Sequence, residues 1–136
     1  MADASETVML FRPVGPKELA LIRASGWTAF PPRLPEQPIF YPVLNEEYAT
    51  QIARDWNARS PLNGYQGFVT RFRVNVAFLA GYERHTVGSA LHQEYWIPAE
   101  DLGMFNAQID RRIEVVAAFG GSAGGEVREM PVEQDG

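Results

Sequence analysis

Residues 30–57 read FPPRLPEQPIFYPVLNEEYATQIARDWN, placing five prolines, a short apolar run and an acidic helix start within 28 positions. Pro31, Pro32, Pro35 and Pro38 remove amide donors and push the residue before each toward extended backbone. Trp27 to Pro38 is therefore predicted as a stiff extended arm. Ile39 to Val43 reads as a strand, with Pro42 placing it at a sheet edge or a strand end. Asn45 then caps a helix with acids in its first turn, and Tyr48, Ile52 and Trp56 fall four apart on one stripe. An arm running into a strand and a helix is suited to the mouth of a small-molecule cleft. Held among the prolines, Arg33 would meet a ligand at little entropic cost. The alternative is that the prolines brace a long connection and Arg33 pairs with Glu36.

Outward from this stretch the elements are mostly strands. Thr7 to Phe11, TVMLF, reads as a short buried strand with Arg12 at its exit. A helix follows from Pro16 to about Ser25, with proline at its opening, Leu19 and Ile22 on one face, and Gly26 at its end. Ser60 to Gly64 is a loop, and Tyr65 to Phe78 alternates as a half-buried antiparallel strand. Residues 79–93, LAGYERHTVGSALHQ, hold the end of that strand and a second short strand or loop. Glu94 to Pro98 is a strand, Ala99 to about Ile109 a short helix with Leu102, Phe105 and Ile109 inward, and Ile113 to Phe119 a terminal strand. Tyr65, Phe68, Phe72, Phe78, Tyr82, Tyr95 and Trp96 are read as core and sheet-face residues. The prediction is one α+β domain over 1–119 with mostly antiparallel sheets and two to three helices, followed by a flexible acidic tail over 120–136.

Composition narrows the function classes. With 46% hydrophobic and 21% charged residues, the 136-residue chain has the usage of a folded domain. The absence of cysteine removes disulfides, thiolate catalysis and Cys-type metal sites. Net charge is −5, of which Glu126, Glu129, Glu133 and Asp135 against Arg128 account for −3, so the body is nearly neutral and no nucleic-acid partner is expected. Eleven of the twelve basic residues are arginine, which reads as a compositional bias. The N-terminus is acidic where a signal peptide needs a positive region, and no run approaches the roughly 18 apolar residues of a membrane span. A cytoplasmic protein without membrane contact is expected.

GxSxG, HExxH, GxGxxG and GxxxxGK[ST] are all absent. His92 and Glu94 project from the same face of a strand, and a hydrogen-bonded strand pair is a better reading of them than a metal site. Arg12, Tyr41 and Glu94 each place a polar group beside strongly apolar neighbours at a strand end. Taken singly, Arg12 pairs with a nearby acid, Tyr41 is core with its hydroxyl satisfied, and Glu94 is an edge residue.

As a set, the segments LFRPVG, IFYPVLNEEYATQIARDW and HQEYWIPAEDL resemble the three motif regions of the ADP-ribosyltransferase fold. They are particularly similar to a family of small uncharacterised bacterial proteins labelled ADP-ribosylation/crystallin J1. The resemblance spans about residues 7 to 119. It implies that NAD is bound, that Arg12 holds its phosphate or ribose side, and that Tyr41 stacks or hydrogen-bonds near the nicotinamide. Glu94 would bond the ribose hydroxyl and stabilise the oxocarbenium ion, a role suited to a fixed carboxylate. Arg33 and His92 would complete the lining. Either ADP-ribose transfer or cleavage of the nicotinamide–ribose bond follows from this, with a protein acceptor or partner undefined. The chain departs from the family in combining Arg, Tyr and Glu, where active members carry Arg–Ser–Glu or His–Tyr–Glu. It also has IFYPV in place of the Ser-Thr-Ser run, and His92 two residues before the glutamate. The alternative is a non-enzymatic interaction module that keeps the fold.

Overall fold

The computed structural model of the protein describes residues 6–88 and 92–135. Strand β1 (Thr7–Val14) turns Leu10, Arg12 and Val14 inward on alternate positions, so an arginine occupies a core-facing register. Proline opens helix α1 (Pro16–Ala24), where its missing N–H does not matter, and Ile22 is the residue the helix buries. The arm that follows is tied at its start, because the Asn106 side chain accepts from the Phe30 N–H and donates to the Phe30 carbonyl, both at 3.0 Å.

Strands β3 (Gln66–Asn75), β7 (Ile109–Gly120) and β8 (Arg128–Met130) complete a four-stranded antiparallel sheet in the order β1-β3-β7-β8. On the free edge of β1 lies a second set of strands. β2 (Ile39–Phe40) pairs with β6 (Ile97–Pro98), and β4 (Arg84–Thr86) pairs with β5 (Gln93–Tyr95). Val43 bridges Phe11 on one side and Glu94 on the other, with Phe11 and Val43 exchanging backbone hydrogen bonds of 2.9 and 2.8 Å. The pairs Ile39↔Pro98, Phe40↔Ile97 and Val43↔Glu94 share one register, so the two predicted strands are the two sides of a single antiparallel ribbon. It is interrupted at Pro42, which has no N–H to contribute.

The fold is thus α+β with antiparallel sheets, as expected. Four α-helical segments occur among the described residues rather than two to three, but α3 (Val76–Leu79) and α4 (Leu102–Ala107) are only one or two turns long. Two clusters form the core. Phe30, Phe40, Phe72 and Phe105 interlock in tilted and edge-on contacts 4.9 to 6.1 Å apart in the larger one. Val69 and Phe119 meet Ala49 and Ala53 of α2 (Glu46–Asp55) in the smaller. Among the described residues no helix is long and apolar enough to cross a membrane.

Several expectations need correction. The strand predicted to reach Phe78 stops at Asn75, whose Oδ1 accepts from the Ala77 and Phe78 amides and turns the chain into α3. The helix predicted from Ala99 to Ile109 is a 3₁₀ turn followed by α4, and β7 begins already at Ile109. Helix α2 does not bury Trp56, which is 75% exposed. It packs instead through Ala49 and Ala53 so closely that a Cβ on Gly67 of β3 would collide with the Ala53 carbonyl. The segment after Gly120, predicted as a tail without structure, folds back. It forms β8, and the Gln134 side chain bonds the Val115 N–H and the Ile113 carbonyl at 2.9 and 2.8 Å. The predicted strand or loop in residues 79–93 includes β4, while its positions 89–91 lie outside the described residues.

Candidate functional site

Arg12, Arg33, Tyr41 and Glu94 line one cleft of about 510 Å³, together with Asn57 and Trp96. The volume lies within the range of small-molecule sites. The ribbon's alternation explains the gathering. Phe40, Tyr95 and Ile97 point into the core, which leaves Tyr41, Glu94 and Trp96 on the opposite face. β1 brings Arg12 beside them through the Phe11–Val43 bridge, and the arm brings Arg33. His92 does not join the lining. Its ring stacks on Tyr48 at 4.3 Å and 15°, with Nε2 3.3 Å from Gln51 Oε1.

Glu94 is the acid of the cleft lining. Both carboxylate oxygens of Glu94 accept a hydrogen bond: Oε1 from the Trp96 indole N–H at 2.8 Å, Oε2 from the Tyr48 hydroxyl at 3.3 Å. Each donor ring is backed by an imidazole, Tyr48 by His92 and Trp96 by His85 at 3.8 Å and 10°. Tyr41 meets Trp96 nearly edge-on, 6.1 Å between ring centres. Such a carboxylate, held as an acceptor at both oxygens, is suited to bonding hydroxyls or facing a positive charge. Burial raises the Tyr48 phenol above its ordinary pKa, and the Glu94 charge and hydrogen bond raise it further.

Arg12 and Arg33 are the cations of the cleft lining. Arg12 is clamped by Glu18, with Nε donating to Oε2 at 2.6 Å and Nη2 to Oε1 at 3.0 Å, and it lies 4.6 Å over the Phe40 ring. The fork geometry makes this a strong pair. Arg33 donates Nε to the Ile39 carbonyl at 3.1 Å, so the expected alternative pairing with Glu36 is not formed. Asn57 contributes a buried Oδ1 that has no hydrogen-bond partner among the described residues.

Three members of this arrangement were not among the predicted site residues. Trp96 was read as core or sheet-face, yet it is 42% exposed and lines the cleft. Its signal was the two-residue spacing from Glu94, which puts both side chains on one strand face. Tyr48 falls in sequence on one helical stripe with Ile52 and Trp56, and only the tertiary approach of α2 to β5 shows its hydroxyl reaching Glu94. Asn57 follows α2 in a 3₁₀ turn, and no local pattern marks it.

Among the described residues no group of three or more His, Asp or Glu side chains is arranged to hold a metal ion. Comparison with family models, with curated proteins and with solved structures finds no match to this chain.

Proposed function

We propose that the cleft binds NAD or a related nucleotide and either transfers ADP-ribose or cleaves the nicotinamide–ribose bond, on an ADP-ribosyltransferase-like fold. The observation that carries this reading is polarity. A doubly hydrogen-bonded Glu94 and an arginine pair line the same cavity. A phosphorylated sugar has the complementary pattern of hydroxyls and anion. The delivery of Arg12, Tyr41 and Glu94 from adjacent strands also supports the motif resemblance.

In the proposed reaction the C–N bond between ribose and nicotinamide breaks heterolytically, and its electron pair leaves with neutral nicotinamide. Glu94 faces the resulting oxocarbenium ion and stabilises it electrostatically. Water or an acceptor nucleophile closes the C1 position and releases its proton to solvent. Trp96 and Tyr41 supply an aromatic wall for the leaving ring. The test is an amide NMR titration with NAD followed by a nicotinamide-release assay. Saturable shifts at Arg33, Tyr41 and Glu94 are expected, and their absence at millimolar NAD would overturn the reading.

A non-enzymatic interaction module is favoured by one observation, the exposure of Leu34 on the proline arm at 55%. A partner footprint on residues 30–38, with no nucleotide response in the cleft, would support it.

A further inference from the structure

Arg12 and Arg33 differ in what remains of their guanidinium groups. All three nitrogens of Arg12 are engaged, two on Glu18 and Nη1 on the Tyr41 carbonyl at 3.4 Å. An incoming oxyanion would have to evict Glu18 to use that fork. Arg33 uses only Nε, and its two terminal nitrogens have no partner among the described residues. Burial, and then the charge of Arg12, lower the Arg33 pKa, the signature of a cation without a sufficient counter-charge.

Next to the cleft, between α1 and the proline arm, a second cavity of about 320 Å³ shares Arg12, Pro13, Arg33 and Asn57 with it. Lys17, Leu21 and Leu34 form part of its own wall. Arg12, Arg33 and Lys17 are its cations and Glu18 its one acid, so the cavity keeps an excess of positive charge. Asn57 belongs to the wall common to both cavities.

We infer that this second cavity is an anion site for a phosphate or diphosphate group, held by Arg33 with Lys17, and that Arg12 is a positioning residue which stays on Glu18. The assignment rests on the nucleotide reading only for what is attached to the phosphate. It reverses the role that motif resemblance implies for Arg12. The proline arm then has a purpose: it fixes the residue that meets the anion.

The experiment follows the arginine Nε–H signals of the full chain by NMR during titration with inorganic pyrophosphate and, separately, ADP-ribose. The Arg33 signal and the amides of Lys17 and Leu34 are expected to shift saturably while the Arg12 signal stays. Arg33→Gln should weaken pyrophosphate binding about tenfold, and Arg33→Lys should recover part of it. Pyrophosphate binding through Arg33 without any ADP-ribose binding would support the anion site and overturn the nucleotide reading. ADP-ribose binding that moves Arg12 off Glu18, or is untouched by Arg33→Gln, would overturn the anion site alone. No response to either ligand would overturn both.

Discussion

Trp96 donates its indole N–H to Glu94, two residues behind it on the same ribbon strand, at 2.8 Å. The bond turns a strand-face neighbour into a support for the residue proposed to do the chemistry. Because His85 stacks on the indole from the adjacent strand β4, the support itself has little freedom.

Glu94→Gln should abolish nicotinamide release while leaving the melting temperature nearly unchanged, since Glu94 is only half-buried and the glutamine oxygen can still accept from the Trp96 indole while its amide NH2 donates to the Tyr48 hydroxyl oxygen. The Tyr48 phenol should meanwhile ionise at lower pH, because two of the three causes that raise it come from Glu94. Ultraviolet titration reads the second effect without any assay of activity. Full turnover in this variant would remove Glu94 from the catalytic role.

Glu18→Gln leaves the inward-facing Arg12 without its acid. Removing one partner of a well-buried ion pair costs about 3–5 kcal/mol, and exposures of 11% and 22% for the two side chains place this pair toward the lower end. Urea denaturation measures the loss. A change under about 0.5 kcal/mol, typical of surface substitutions, would mean that solvent screens the pair.

Tyr82 supplies a pH dependence. Burial first, and then its hydrogen bond to Asp101 and the charge of that residue, push its phenol up from 10.0 to about 12. A folded-state pKa above the unfolded one stabilises the fold fully below pH about 10 and loses that stabilisation as pH rises through about 12. Thermal melts should therefore show stability declining across this window, with the decline reduced in Tyr82→Phe. An unaltered slope in that variant would assign the decline to other groups.

Asn106→Ala removes both bonds that hold the start of the arm, at Phe30. The buried backbone groups left unsatisfied should cost about 1–3 kcal/mol, and pyrophosphate affinity should fall because Arg33 is no longer pre-positioned. Calorimetric titration separates the two effects. Lost stability with unchanged affinity would show that Arg33 is positioned independently of Asn106.

Deleting residues 127–136 should expose the edge of β7 that β8 covers and release Trp27, whose indole N–H donates to Asp135 at 3.0 Å. Unpaired strand edges promote self-association, so gel filtration should show larger species and the tryptophan emission should change. A monomer with unaltered emission would make this segment dispensable.

The residues vary in how openly they announce their structure. Pro16 opening α1, the Asn45 cap of α2 and the alternation of β3 are local chemistry and readable in sequence. β8 is not, because Arg128–Met130 has no apolar alternation and its pairing partner β7 is set by the tertiary fold. Trp56 misleads for a similar reason: a helix stripe read from side-chain hydrophobicity favours the large ring, whereas close approach to Gly67 selects the small Ala49 and Ala53. At the site, each strand end was visible, but the adjacency of Phe11, Val43 and Glu94 depends on pairings between distant segments. The Glu18 clamp on Arg12, six residues away, is set by how α1 leaves β1.

The ribbon over residues 39–43 and 94–98 divides its labour by parity, with Phe40, Tyr95 and Ile97 serving the core and Tyr41 and Trp96 facing the cleft. Natural or laboratory evolution can therefore exchange Tyr41 for other rings or polar groups without consulting the packing beneath it, whereas Trp96 is tied to Glu94 and His85. The cleft wall is open to variation at that position while its foundation stays fixed, which makes a library at Tyr41 a direct route to altered specificity in the proposed site.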